Sequence, residues 1–234
     1  MTDPECLVQC IIEEAAARGE VLSPIRVVKF LYLADVYHAR YHAGQTLTGW
    51  RWRFVHYGPY CGEAMAAIDQ ARSRSLIGTI PFRSKYDGEE HILYKGIGGD
   101  LSSLRNAMPL SVVGPLAAAI ARWASDTQGL LDHVYFDTEP MKYARRGDLL
   151  DFSRCVPPER PAELTMKKLT RDQIAKAREA LSRLREKFVA GLAEQETRWQ
   201  GEVLDESYTQ FLRELRDPEL ETGLEGKAEL GELT

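Results

Sequence analysis

The chain has 234 residues, 44% of them hydrophobic and 28% charged, with a net charge of −5. That balance supports a sizeable core and excludes global disorder. It also excludes a protein that coats nucleic acid by bulk electrostatics, although local basic patches stay open.

The length fits a domain of about 150 residues with an appendage. The first twenty residues start with acid and interrupt their apolar positions with Glu13 and Glu14. They read as neither a signal peptide nor a membrane span, so a cytoplasmic protein with no membrane partner is expected. Cys6, Cys10, Cys61 and Cys155 lack CxxC spacing and read as small buried hydrophobes.

Leu7, Val8, Ile11, Ile12, Ala15 and Ala16 follow helical spacing, which predicts a first helix from Pro4 that stops near Gly19. Ser23 and Pro24 then open a second helix, with Ile25, Val28, Leu31, Tyr32 and Val36 toward the core and Gly44 as its end. Residues 51–55 alternate Arg51 and Arg53 with Trp52 and Phe54, a strand with one basic and one apolar face. The Tyr57-Gly58-Pro59 turn launches a third helix over 63–75. Residues 76–82 and 91–95, joined through Asp87-Gly88, predict an antiparallel hairpin.

Gly96, Gly98 and Gly99 lack the spacing and the Lys-Ser/Thr pair of a phosphate loop, so this stretch reads as an ordinary loop. Residues 111–125 are apolar almost all round (Val112, Val113, Leu116, Ala117, Ile120, Trp123), which predicts a central, buried helix. A helix over 130–143 follows, interrupted by Pro140, and the cluster Pro157, Pro158 and Pro161 marks a boundary. Thr170 and Gln173 form a capping box for a long helix whose seam is Ile174, Ala177, Leu181, Leu184 and Phe188. Docking onto its own domain is the simpler use of that seam, and a partner or dimer contact the other. A short helix from Asp205 carries Tyr208, Phe211, Leu212 and Leu215, and the Glu-rich stretch from Asp217 predicts a disordered tail.

The expected fold is therefore α+β and mainly helical, a helical domain with a short strand and a β-hairpin plus a C-terminal helical extension. The expected boundaries are 1–155 for the domain, 156–169 for a Pro-rich linker, 170–216 for the extension and 217–234 for the tail.

Three constellations bear on chemistry. Asp35, His38 and His42 share a helix at spacings that can present two imidazoles to one metal, with His56 or Glu63 as a further ligand. Ala39 stands where a metalloprotease helix carries its general-base Glu, and hydrogen bonding at the rim of the aromatic cluster is the simpler account. No GxSxG, no Cys-His motif and no paired carboxylates in an apolar setting occur, so the expectation is a protein that is not an enzyme and takes no cofactor or metal. Arg51, Arg53, Arg72, Arg74, Arg83 and Lys85 fall on strand, helix and hairpin. In a winged-helix-like arrangement they would meet DNA phosphates, though a solvated face is simpler.

The run Lys29-Phe30-Leu31-Tyr32-Leu33-Ala34-Asp35, residues 44–48, and Trp52 to Val55 with Tyr57-Gly58-Pro59-Tyr60 resemble the Panacea domain, the SocA-like antitoxin family of bacterial and phage toxin–antitoxin systems. Residues 131–145 resemble the family's later helix, with Met141 where Trp is expected. The resemblance spans about residues 4–150. It implies a mainly helical domain that neutralises a cognate toxin by direct protein–protein binding, some members also acting as adaptors that hand the toxin to a protease. No catalytic residues are implied.

An aromatic-rich rim with Arg and Tyr has the composition of an interaction hot spot. The expected partner-binding residues are Arg51, Trp52, Arg53, Tyr57 and Tyr60, with Leu181, Leu184 and Phe188 as a second contact. The competing expectation is a winged-helix-like DNA-binding transcriptional regulator that uses residues 72–85; only there would nucleic acid be a partner. The central aromatics suit both a core and a binding face.

Overall fold

A computed structural model describes residues 3–55, 58–84, 88, 90–157, 170, 175–176, 178–184 and 186–187. The chain divides at Val156–Pro157 into two compact units. The described part of the first, residues 3–156, is a mainly helical α+β domain with two small antiparallel sheets.

Helix α1 (Pro4–Ala16) starts where Asp3 caps the Glu5 N–H at 3.2 Å and Pro4 takes a position whose amide would be unbonded anyway. Its stripe of Leu7, Val8, Ile11, Ile12 and Ala15 is buried. Helix α2 (Pro24–Ala39) packs against it and against α5 (Leu110–Trp123). Every residue of α2 except His38 is buried, so α2 is the helix at the centre of the domain.

That position was expected for α5. In the structure α5 buries only Val112, Leu116, Ala119 and Ile120, while Leu110, Gly114, Ala118 and Ala121 face solvent. The outward face is mostly Ala and Gly, which look apolar in sequence but lose little by exposure because they carry little side-chain surface. Conversely, α2 carries Arg26, Lys29 and Asp35, and each is buried with an internal partner.

Strand β1 (Arg53–Val55) pairs with β2 (Gly58–Tyr60), and α3 (Gly62–Ser73) follows. The hairpin of β3 (Gly78–Arg83) and β4 (Glu90–Lys95) runs in register from Gly78↔Lys95 to Arg83↔Glu90 and is tied to the core by a bridge between Leu22 and Tyr94.

After the hairpin comes α4 (Leu101–Asn106), a stretch to which sequence reading assigns no element; its signal is Asp100, which caps the Ser102 and Ser103 amides. The glycine-rich loop before it does receive an anion, supplied by the protein itself. Glu13 accepts from the Ile97 N–H at 2.8 Å and the Gly98 N–H at 3.1 Å. Gly96 is required there, since a Cβ would stand 2.6 Å from the Ala16 Cβ. Neighbouring Glu14 binds both Arg18 and Arg105.

The expected helix over 130–143 is three pieces: α6 (Thr127–Asp132), a π-helical turn (His133–Asp137) and α7 (Glu139–Lys142). The break falls at Thr138, whose backbone is extended, and Pro140 sits in the first turn of α7 where proline is tolerated. A 3-10 turn (Phe152–Arg154) closes the domain. In the second unit, residues 178–184 are helical, with Leu181 and Leu184 66% and 63% exposed. Ile174, Ala177, Phe188, Gln173 of the capping box, the helix from Asp205 and the acidic tail lie outside the described residues.

Replacing Glu13 by Ala leaves two loop amides without their acceptor, an expected loss of about 1–3 kcal/mol. Urea denaturation of parent and Glu13→Ala measures it, and unchanged midpoints would show that water substitutes fully for the carboxylate.

Candidate functional site

Helix α2 fixes the surroundings of the site through its polar side chains. Arg26 reaches the end of α5 and the start of α6, donating to Ala124 O and to Thr127 Oγ1, each at 2.6 Å. Lys29 Nζ donates to Pro59 O at 3.0 Å and so holds β2. The Tyr32 hydroxyl meets Thr138 Oγ1 at 2.9 Å, and Thr138 Oγ1 in turn donates to Val134 O at 2.6 Å, pinning the break after the π-helical turn. Asp35 accepts from the Thr48 amide at 2.9 Å, the Thr48 hydroxyl at 2.6 Å and the Trp52 indole at 2.7 Å. At the C-terminal end Arg40 pairs with Glu139 of α7.

These contacts decide the Asp35, His38 and His42 constellation. Asp35 is fully buried and its oxygens face Thr48 and Trp52. The rings of His38 and His42 stack at 3.7 Å, each donating from Nδ1 to a backbone carbonyl, of Gln45 and His38 respectively. Among the described residues no group of His, Cys, Asp and Glu is placed to hold a metal ion. His56 lies outside the described residues.

The same anchor corrects the expectation for Trp52. Its side chain is 1% exposed, held by Asp35 and packed edge-on against Tyr32 at 5.5 Å, so it is core and cannot touch a partner. Tyr60 is buried as well. Arg51 and Arg53, on the opposite face of the strand, are exposed as the alternation predicted. Tyr57 lies outside the described residues.

Sequence reading missed what stands beside those arginines. Residues 148–150 return to β1: the Phe54 N–H donates to Asp148 O and the Leu150 N–H to Trp52 O, both at 2.9 Å, around an antiparallel bridge of Arg53 with Leu149. Arg53 Nη1 also donates to Gly147 O at 3.2 Å. The surface this creates carries Arg51, Arg53, Arg145 and Arg154 with Tyr143 and Leu149, which are 65% and 43% exposed. Arg154 lies 4.8 Å over the Tyr143 ring. Of the two acids nearby, Asp148 accepts from the Arg145 N–H, and Asp151 accepts from the Ser153 N–H and pairs with Arg154 at 3.2 Å. The only sequence signal was the density of Arg in 145–154, with nothing to say it would pair with β1.

The π-helical turn lies behind this surface. Tyr135 packs edge-on against Phe54 at 5.8 Å, and a Cβ on Gly58, which has φ +91°, would stand 3.2 Å from the Tyr135 ring. On its other side His133 stacks on Trp123 at 4.2 Å and donates to Asp137 at 3.0 Å, in a cleft of about 540 Å³ that Arg122, Asp126, Asp132 and Phe136 also line. Burial lowers the pKa of His133, with Asp137 opposing. With Nδ1 on Asp137, the buried Nε2 has no hydrogen-bond partner among the described residues.

No family model, no curated protein and no solved structure matches the chain.

Burial brings the Lys29 pKa down from 10.5 to about 7. Between those two values the unfolded chain holds a proton that the folded protein has released, so this group raises stability as pH climbs from 7 toward 10.5. Below pH 7 its full penalty is present. The stability of Lys29→Met relative to the parent should therefore fall by up to about 1.4 kcal/mol per pH unit across that window. Paired denaturation curves at pH 7, 8.5 and 10 test it, and a difference that stays flat would refute the lowered pKa.

Proposed function

We propose that the chain is an antitoxin that neutralises a cognate toxin by direct protein–protein binding. The observation that carries this reading is the exposed face where Arg51, Arg53, Arg145 and Arg154 surround Tyr143 and Leu149. Arg and Tyr dominate interface energy because each offers a broad contact surface with directed hydrogen-bond donors. The resemblance of the Lys29–Tyr60 region to Panacea-domain antitoxins supplies the class of partner, and delivery of the toxin to a protease is a further step open to such a protein. Leu181 and Leu184, exposed on a helix of the second unit, offer a second apolar contact.

The DNA-binding reading draws on the order α3 then hairpin, but its arginines there are answered locally, and Lys85 lies outside the described residues. Arg72 pairs with Asp69, Arg74 with Glu5, and Arg83 stands opposite Glu90 in the hairpin register. Their carboxylate neighbours oppose phosphate contact. Cytoplasmic action fits the antitoxin reading; among the described residues no helix is long and apolar enough to cross a membrane.

Co-expression with each adjacent reading frame, scored for growth and then for co-purification, tests the proposal. Rescue of a toxic neighbour within a stable complex is expected, and the double variant Arg51→Glu with Arg53→Glu should abolish rescue with a Tm change of at most about 4 °C. By contrast Trp52→Ala should lose rescue by unfolding, with a lost near-ultraviolet dichroism signal. If no neighbour is neutralised, or the arginine variant rescues fully, the reading fails.

A further inference from the structure

We propose that the outer edge of residues 148–150 is a docking strand for an extended, acidic segment of a partner protein, with the surrounding arginines reading its charge. The inference rests on the antitoxin reading and gives the chemistry of the toxin segment that would be bound.

The geometry follows from how this segment meets β1. The bonds from Phe54 N–H to Asp148 O and from Leu150 N–H to Trp52 O flank Leu149 on either side. Arg53 and Leu149 therefore face each other as the pair that exchanges no hydrogen bonds, and in an antiparallel ladder the N–H and C=O of such a residue point to the opposite edge. Neither group of Leu149 has a partner among the described residues, and the residue is 43% exposed. An outward-pointing donor and acceptor with no described partner, side by side on a sheet edge, is a template for strand addition. The sheet behind it is continuous, since β1 is bonded to β2 on its other side, so an added strand would be the fourth.

The side chains around this edge select the charge of the guest. Arg53 opens β1 and Arg51 lies two residues before it, Arg145 precedes residues 148–150 and Arg154 follows them. Of the acids within the same stretch, Asp148 accepts from the Arg145 amide, while Asp151 accepts from the Ser153 amide and pairs with Arg154 at 3.2 Å, which leaves Arg51, Arg53 and Arg145 as the excess positive charge. The protein as a whole carries −5. At physiological salt, charges beyond about 8 Å are largely screened, so the local arginines and not the net charge decide what binds at contact distance. Leu149 and Tyr143 add apolar surface for the alternate side chains that an extended guest would place on the same face.

A fluorescein-labelled seven-residue peptide alternating glutamate and valine, titrated into the full-length protein and read by anisotropy, tests the proposal. Saturable binding is expected, weakening as salt is raised. At least a tenfold loss is expected for Arg51→Glu with Arg154→Glu, and for the same peptide N-methylated at every second amide on the bonding edge. Leu149→Pro, which removes the outward N–H and leaves both bonds to β1 in place, should show the same loss. The N-methylated peptide supplies this comparison with unaltered protein should the variant fold poorly.

Equal affinity of the N-methylated peptide would overturn the proposal by showing attraction through charge alone, and equal binding of a lysine–valine peptide would overturn it by showing that the arginines do not read charge. A tenfold gain on removing residues 217–234 would overturn it differently, assigning the edge to the chain's own acidic tail. Peptide binding without any toxic neighbour would leave the docking strand standing and the antitoxin reading refuted. Neutralisation of a neighbour with no peptide binding would do the reverse.

Discussion

A helix buried on every side must have its polar side chains answered inside the protein, and that requirement at α2 organises this domain. Arg26, Lys29, Tyr32 and Asp35 each reach a different segment: the α5–α6 junction, Pro59 at β2, Thr138 before α7, and the Thr48–Trp52 stretch. None of those segments is long enough to be stable by its own backbone bonds. Strands β1 and β2 are three residues each, and α7 is four. The central helix thus supplies the fixed points, and the short elements take their positions from it. A lysine whose cationic form is penalised by burial is tolerated because the Pro59 carbonyl needs a donor where no backbone amide reaches.

The arginine face depends on this arrangement at one remove. Asp35 holds the Trp52 indole, which fixes the inward face of the strand. Because side chains alternate along a strand, Arg51 and Arg53 are then directed outward. A slip of one residue would bury two arginines and expose Trp52, so the Asp35 hydrogen bond specifies the register of the arginine face without belonging to it. Lys29 and Tyr32 act similarly from beneath, holding β2 and the end of the π-helical turn that places Tyr135 against Phe54.

Much of this fold was legible where one signal dominated: Ser23-Pro24 as a helix start, the alternation of residues 51–55, the hairpin around residue 88, and the mainly helical α+β class. What misled was hydropathy read without partners. The sequence 110–123 scores as more apolar than 24–39, yet α2 is the central helix. Ala and Gly in α5 bear exposure easily, whereas Lys29 and Asp35 are buried through bonds to residues 13 to 30 positions away that no local window contains. The same limit hid half of the candidate site. Arg51 and Arg53 were found from alternation, but the 148–150 strand that completes their surface pairs across nearly a hundred residues, and one bridge leaves no pattern in sequence. Trp52 was assigned to the surface because an aromatic's composition fits a hot spot and a core equally well.

The glycine loop at 96–99 shows how an internal carboxylate can complete what resembles a ligand site. Consecutive amides of a Gly-rich turn attract an anion whatever its source. Here Glu13, one of three buried acids on α1 with Glu5 and Glu14, takes that place. The other two are answered by arginines from elsewhere, Arg74 from the end of α3 and Arg105 from α4. The acids of α1 therefore do for the hairpin side of the domain what the cations of α2 do for the strand side. Helix α1 presents acids to arginines and loop amides, and α2 presents Arg26 and Lys29 to oxygen acceptors and Asp35 to the Thr48 and Trp52 donors. Arg74 and Arg105 are committed in this way, while Arg51, Arg53, Arg145 and Arg154 are exposed on the 51–53 and 145–154 surface.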